Sequence, residues 1–241
     1  TDPSPAFIWS EAVGDALAAD LITISQATSS TLDASAVTAI NGTVQNVSDV
    51  LNDTGILKPA IFNTTLTGSA TAAQLLAIDA ANGTGTIDGS GITSIDGSAA
   101  DVVAALNAMD VDPATFTSLI TGATASVADL HTISLATSGM VTATGVTSLD
   151  GTAADVVTVI NDAEITTSTT FNSTLTGPAS AADIADIRAA TTGLLDGSAI
   201  TAISGPLAAD VAQALTDLDT DPLAPFIWSE AVGDALAADL I

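Results

Sequence analysis

The chain repeats itself on several scales, and this repetition restricts its fold more than any other feature. Residues 220–241 restate residues 1–22 with 19 of 22 positions identical, so one period runs from Thr1 to Asp219. A chain that restarts its own beginning is most simply a window on an array that continues in both directions. Each repeat of such an array packs mainly against its neighbours, so we expect a thin core repeated many times.

Four units fill one period: residues 11–65, 66–119, 120–174 and 175–229, with 220–241 restarting it. Each unit has two similar halves, and the marker glycines of these halves are Gly14, Gly42, Gly68, Gly97, Gly122, Gly151, Gly177, Gly205 and Gly233. We call the stretch between successive marker glycines a half-unit; its mean length of about 27 residues suits one turn of a solenoid. We therefore predict that residues 1–241 form one continuous segment of a solenoid.

Local patterns predict a helix and a strand in each half-unit. Five hydroxyl residues are followed three positions later by Asp or Gln, which is the signature of a capped helix start: Thr71, Ser98, Ser126, Thr152 and Ser180. Gly139 and Gly193 suit the C-caps of two of these helices. Segments with period-two alternation, such as residues 92–95 and 200–203, predict strands that end at the next marker glycine.

Strands and helices that alternate at a fixed period, with all crossovers alike, require parallel strands and right-handed connections. The sequence therefore predicts an α/β fold, specifically a right-handed solenoid of strand-helix coils of about 27 residues. A parallel β-helix is the alternative architecture. The capping signatures favour helices and so favour the α/β solenoid.

Charge excludes several classes of partner. The formal net charge is −26, with 28 acidic residues against only Lys58 and Arg188, so the chain cannot neutralise phosphates and we expect no nucleic-acid partner. No apolar run approaches the length of a membrane span, so we expect no membrane insertion. There is no Cys, and the acidic composition rich in Thr, Ser and Gly is typical of exported bacterial surface proteins. These features predict an extracellular or cell-surface location.

The sequence offers no catalytic constellation. His131 is the only imidazole, and it stands where the other units have Ile22, Leu76 and Ala185, so it is interpreted as an ordinary substitution on a helix surface. Arg188 is interpreted as a surface charge beside Asp186. Without Cys or Tyr, and with two basic residues, no set of nucleophile, base and oxyanion donor can be assembled. We predict that the protein is not an enzyme.

Four Asp residues at Gly-containing turns are the candidate metal ligands: Asp88, Asp96, Asp150 and Asp196. Clustered carboxylates and turn carbonyls are the ligands that Ca²⁺ requires, although none of the four lies in a known calcium-loop motif. Turn and helix-cap chemistry is the alternative explanation of the same residues. Calcium at these turns is the one cofactor that the sequence suggests.

The aromatic residues are few and recur at equivalent places. Trp9 and Trp228 correspond across the period, and so do Phe7 and Phe226. Phe62, Phe116 and Phe171 take the related place in other units. The tryptophans could form a contact surface between chains, whereas packing in the core once per unit is the favoured interpretation.

The repeated motifs resemble those of a known class of proteins. The Gly-x-Ala-Ala-Asp-Val element, as at 151–156, and the Asp-Gly-Ser-Ala-Ile-Thr element at 196–201 resemble repeats of very large, acidic, Cys-free surface or secreted proteins of bacteria, particularly cyanobacteria. The resemblance implies export by type I machinery and a role in surface layers, filaments or adhesins. We therefore expect a structural repeat segment that forms a filament, fibre or surface coat by self-association. The alternative function is an adhesin stalk or a ligand-binding solenoid.

Overall fold

The computed structural model describes residues 14–223, 225 and 227–230. The described residues form two compact units. One takes in the residues up to Gly97 together with Asp101–Ser118, and the other takes in Ser98–Ala100 together with the residues from Leu119 onward. Each unit has its own helices, parallel strands and buried apolar residues.

The described part of the chain contains eight α-helices of 8 to 11 residues. They are α1 (Ala18–Ala27), α2 (Val44–Asn52), α3 (Ala72–Asn82), α4 (Ala99–Ala108), α5 (Val127–Ala136), α6 (Ala153–Ile160), α7 (Ala181–Ala190) and α8 (Ala208–Asp217). The predicted caps are confirmed at Thr71, Thr152 and Ser180, whose side-chain oxygens accept the amide hydrogen three residues on. Ser126 precedes α5, but its side chain makes no such bond.

The strands are short and connect directly to the helices. They are β1 (Asp15–Leu17), β2 (Leu32–Asp33), β3 (Ala39–Thr43), β4 (Ile56–Leu57), β5 (Thr64–Thr71), β6 (Ile87–Asp96), β7 (Ser118–Leu119), β8 (Thr124–Ser126), β9 (Val141–Ala143), β10 (Ser148–Thr152), β11 (Ile165–Thr167), β12 (Ser173–Ser180), β13 (Leu195–Gly205) and β14 (Ile227–Glu230). The sheet orders are β1-β3-β5-β6, β2-β4, β7-β9-β11 and β14-β13-β12-β10-β8.

Every strand pair described is parallel, which confirms the predicted α/β fold with parallel strands. Strand partners lie roughly one half-unit apart in the sequence, as in the pairs Ser173 with Leu195 and Ser69 with Ser94. Parallel neighbours at so short a spacing require one crossover per half-unit, and the helix supplies it.

The predicted strand ends at the marker glycines are wrong for several half-units. β5 continues through Gly68 and β12 through Gly177, so that each strand reaches the N-cap of the next helix. Both glycines have positive φ, +82° and +70°, and the strand register shifts at each of them. The glycine therefore forms a bulge inside the strand rather than a terminator, because only Gly adopts this conformation readily.

The core consists of one apolar face per element. Strands alternate strictly in β12, where Ser173, Leu175 and Ala179 are buried while Thr174 and Thr176 are exposed. Each helix contributes a narrow apolar stripe, such as Ala181, Ile184 and Ile187 in α7. The largest buried side chains are those of Phe62, Phe116 and Phe171, one for each of three successive units.

The C-caps of α5 and α7 lie two residues before Gly139 and Gly193, the glycines that were predicted to form them. Helix α5 ends with Thr137 as its C-cap, and α7 ends with Thr191. The side chain of each Thr accepts the amide hydrogen of the glycine two positions later, Gly139 or Gly193, at 2.9 and 3.0 Å. The helix terminus is therefore made by Thr, and Gly193 instead lies close against the backbone carbonyl of Phe171.

Candidate functional site at the junctions between half-units

The two half-units of each unit meet at an equivalent strand junction, so the described residues contain four such junctions. At each junction an apolar residue faces the residue two positions after a phenylalanine in the next half-unit. The four pairs are Ile40 with Thr64, Ile95 with Ser118, Leu149 with Ser173, and Ile203 with Trp228. We call these the junction pairs. They join the first half-unit of each unit to the second.

Three junction pairs carry a buried hydroxyl group. Thr64, Ser118 and Ser173 are each 2% exposed. Each side chain donates a hydrogen bond of 2.6 Å to the backbone carbonyl of its partner. A buried hydroxyl must find a partner inside the protein, so this bond ties the neighbouring strands together at the same depth in the core. The signal in the sequence is the recurring pattern Phe-Asn/Thr-Ser/Thr, which our sequence analysis did not single out.

The fourth junction pair joins the period to its own restart. Strand β14 lies within residues 220–241, which repeat residues 1–22. It pairs in parallel with β13, with Ile203 opposite Trp228 and Gly205 opposite Glu230. Trp228 replaces the buried hydroxyl residue of the other junctions and is 42% exposed. The sheet thus continues across the boundary between one period and the next. The other aromatic residues of this repeated segment, Phe7, Trp9 and Phe226, lie outside the described residues.

Thr64→Val is expected to destabilise the protein by about 1–2 kcal/mol, because valine keeps the shape but removes the donor to the Ile40 carbonyl. The adjacent Thr65 is exposed and provides the matched control. Thr65→Val should change stability by less than about 0.5 kcal/mol. Urea denaturation of both variants checks the prediction. Equal stability losses would show that the buried hydroxyl does not fasten the junction.

Carboxylate and amide side chains form a second set of bonds between half-units. The Oδ1 atoms of Asn41 and Asp150 accept the backbone N–H groups of Thr65 and Thr174, each at 2.8 Å and 24 residues away. Equivalent bonds join Asn63 to Thr86, Asn172 to Leu194, Asp110 to Ile87 and Asp219 to Leu195. Three aspartates and three asparagines therefore bind backbone N–H groups of the neighbouring half-unit.

The four predicted calcium ligands lie within strands: Asp88 and Asp96 in β6, Asp150 in β10 and Asp196 in β13. Asp88 and Asp196 each accept the amide hydrogen of a serine two residues on, at 2.9 Å. The side chain and amide of Ser90 lower the pKa of the Asp88 carboxyl. Asp96 stands opposite Thr71, and Asp150 opposite Ser126, in their sheets. No group of three acidic or imidazole side chains that could hold a metal ion is present among the described residues. Calcium at these turns stays a prediction.

His131 lies partly buried on α5 and not on an open surface. Its Nδ1 atom is buried and has no hydrogen-bond partner. Nearby Asp162 accepts the Ser134 hydroxyl at 2.5 Å and the Glu164 amide hydrogen at 2.9 Å. Burial raises the pKa of Asp162, but the hydrogen bonds from Ser134 and Glu164 outweigh it and hold the pKa below its usual value. Ser134 donates its hydroxyl hydrogen to the Asp162 carboxylate and not to the His131 imidazole, so Ser134 and His131 do not form a pair of nucleophile and general base.

The interpretation of Arg188 as a simple surface charge is wrong. Its guanidinium donates to the backbone carbonyl of Asp217 at 2.6 and 2.9 Å and to that of Gly193 at 2.9 Å. It also forms an ion pair of 2.6 Å with Asp219. The hydrogen bond from the Leu195 amide lowers the pKa of the Asp219 carboxyl most, and the hydrogen bond from Arg188 lowers it further. Arg188 therefore fastens the end of α7 to the end of α8, where the last helix carbonyls lack partners within the helix.

Arg188→Met is expected to lower the free energy of unfolding by about 2 kcal/mol, because methionine retains part of the apolar stem and loses every donor. Arg188→Lys should recover only part of this loss, since one ammonium cannot reach three acceptors as a planar guanidinium does. Thermal and urea denaturation at fixed salt provide the measurement. Full recovery by lysine would show that charge alone, and not the forked geometry, stabilises the contact between the ends of α7 and α8.

None of the helices in the described part of the chain is long and apolar enough to cross a membrane. Comparison with protein-family models, with curated proteins and with solved structures finds no match for this chain.

Proposed function

We propose that this chain is a structural repeat segment of a giant extracellular protein, whose coils stack into a filament, fibre or surface coat. The pairing of β14 with β13 is the observation that carries the proposal. The first part of the restarted period is added to the sheet as its next parallel strand, in the place that a further half-unit would take. A sheet that grows by each repeat in turn has no intrinsic end.

The finer architecture in this proposal is a right-handed α/β solenoid. Its support is the order of neighbours within each compact unit. Helices α1, α2 and α3 lie side by side in sequence order, and so do α5, α6, α7 and α8. The strands that precede them pair in the same sequence order. The buried hydroxyl bonds recur in successive units with the same 2.6 Å geometry, as at Thr64 and Ser118.

Composition supports placing this array outside the cell. The chain carries a net charge of −26 and no Cys, and its repeats resemble those of large bacterial surface proteins. A large net charge keeps an extended protein soluble and separates it from other anionic surfaces. Disulfides do not contribute to its stability, because the chain has no Cys.

Electron microscopy of a series with one, two and four periods tests the proposal. We expect unbranched rods whose length grows by the same increment for each added period. Particles that grow in every dimension would contradict the solenoid, and rods that bear a distinct non-repeating head in the native material would favour the adhesin stalk. The same series in a calcium chelator tests the Asp88, Asp96, Asp150 and Asp196 turns, because rods that shorten or unfold would identify them as metal sites.

A further inference from the structure

The edge of β13 is a defined docking site for one strand. It pairs with β14 over four positions: Ala202 with Ile227, Ile203 with Trp228, Ser204 with Ser229 and Gly205 with Glu230. The sequence of that strand, Ile-Trp-Ser-Glu, is present a second time in this chain at residues 8–11. The identity continues without interruption through residue 22, and only positions 4, 5 and 6 differ from their counterparts.

We propose that the edge of β13 also binds residues 1–22 of a second copy of this chain, which take the place of the acceptor chain's own β14. The partner is thus another molecule of the same protein, joined head to tail by strand addition. This inference rests on the proposed function, because it assumes that each period docks on the last strand of the preceding one. The inference goes beyond the proposed function because it states that the pairing on the edge of β13 forms between two molecules as well as within one.

The two strands that could occupy the β13 edge are nearly equal in their contacts. A segment with the same residues at the paired positions makes the same hydrogen bonds with β13, so the two occupants differ mainly in connectivity. The strand within the chain has the advantage of a high effective concentration, which keeps the site closed in the intact molecule. That strand has much open surface, however, since the side chains of Ile227 and Trp228 are 71% and 42% exposed. Opening the site uncovers the covered part of the Trp228 side chain, and an incoming strand with the same residues would cover that surface again.

Charge determines the conditions under which exchange can be seen. Residues 1–22 contain four acidic residues, Asp2, Glu11, Asp15 and Asp20, and no basic residue. The acceptor chain is itself strongly acidic, with a net charge of −26. Two such surfaces repel each other at low ionic strength, and salt screens this repulsion. We expect head-to-tail association to strengthen by at least tenfold in affinity between about 0.01 and 0.5 M NaCl.

A pair of full-length variants tests the inference. The double substitution Trp228→Pro with Ser229→Pro removes a ladder hydrogen bond from β14, because one of two successive residues must direct its N–H to the neighbouring strand. This variant leaves β13 open and keeps residues 1–22 intact, so light scattering in 0.5 M NaCl should show chains that lengthen with concentration. The control adds Trp9→Pro and Ser10→Pro, which remove the incoming strand, and should remain monomeric.

A binding measurement keeps the test decisive if the variant is less stable. A fluorescent peptide of residues 1–22 should bind the Trp228→Pro/Ser229→Pro protein at least tenfold more tightly than the unaltered chain, as followed by anisotropy. A scrambled peptide is the control, and circular dichroism establishes that the protein is folded. A folded open variant that stays monomeric and ignores the peptide would overturn the inference. Failure of the peptide to bind would not change the rod lengths expected for single chains with one, two and four periods. It would therefore overturn this inference without contradicting the proposed function.

Discussion

Gly193→Ala is expected to lower the free energy of unfolding by about 3 kcal/mol or more. A Cβ atom at this position would lie 2.0 Å from the backbone oxygen of Phe171 and 2.5 Å from its carbonyl carbon. Neither atom can move alone, because the Phe171 carbonyl accepts the Thr191 hydroxyl at 2.6 Å and the phenylalanine ring is fully buried. The added methyl group must therefore displace the backbone between two half-units. Urea denaturation, with the slope compared between variants, provides the measurement.

Two further glycines make this test specific. Gly85 has the same relation to the Phe62 carbonyl in the other compact unit, at 1.8 Å from the hypothetical Cβ, and Gly85→Ala should be equally damaging. Gly145 has nothing within 4 Å and no positive φ, so Gly145→Ala should leave stability unchanged or raise it by up to about 1 kcal/mol. Similar losses at Gly193 and Gly145 would show that lost glycine flexibility, and not close backbone approach, sets the effect.

The sequence predicted those features that depend on local physics. The capped starts of α3, α6 and α7 depend on a hydroxyl residue and its neighbours three positions on, so Thr71, Thr152 and Ser180 could be assigned directly. The parallel arrangement of strands followed from the repeat length, because crossovers of one helix each leave no other pairing. The marker glycines were also visible, although the sequence could not show that Gly68 continues β5 as a bulge.

Features that depend on a neighbouring half-unit were harder to predict. Gly193 was assigned as a helix cap on local grounds, whereas its main constraint is the Phe171 carbonyl in the preceding half-unit. Arg188 likewise looked solvent-exposed, and its acceptor at Asp217 lies 29 residues away. Patterns within one helix or strand carry no information about such partners. Alignment of the internal repeats can supply it, because a residue such as Ser173 recurs at the same junction as Thr64 and Ser118.

Phe171→Ala is expected to destabilise the protein by about 3–5 kcal/mol, through lost apolar burial and the cavity that remains. The side chain is completely buried, and Phe62 and Phe116 occupy the corresponding place in their own units at 1% exposed. One large ring per unit is a large share of a core otherwise built from Ala, Val, Leu and Ile, so few neighbouring side chains can move to fill the space. Phe171→Leu should cost less than half as much, because leucine retains most of the volume.

Leu135→Ala provides the matched control, since this apolar side chain on α5 is 75% exposed. It should alter stability by less than about 0.5 kcal/mol. Urea denaturation followed by circular dichroism measures all three variants. A small loss for Phe171→Ala would mean that the junctions, through the Ser173 hydroxyl and the strand ladder, hold successive half-units without the ring. The expected large loss would show that this part of the core depends on the Phe171 ring, whose counterparts Phe62 and Phe116 stand at equivalent positions of the repeat.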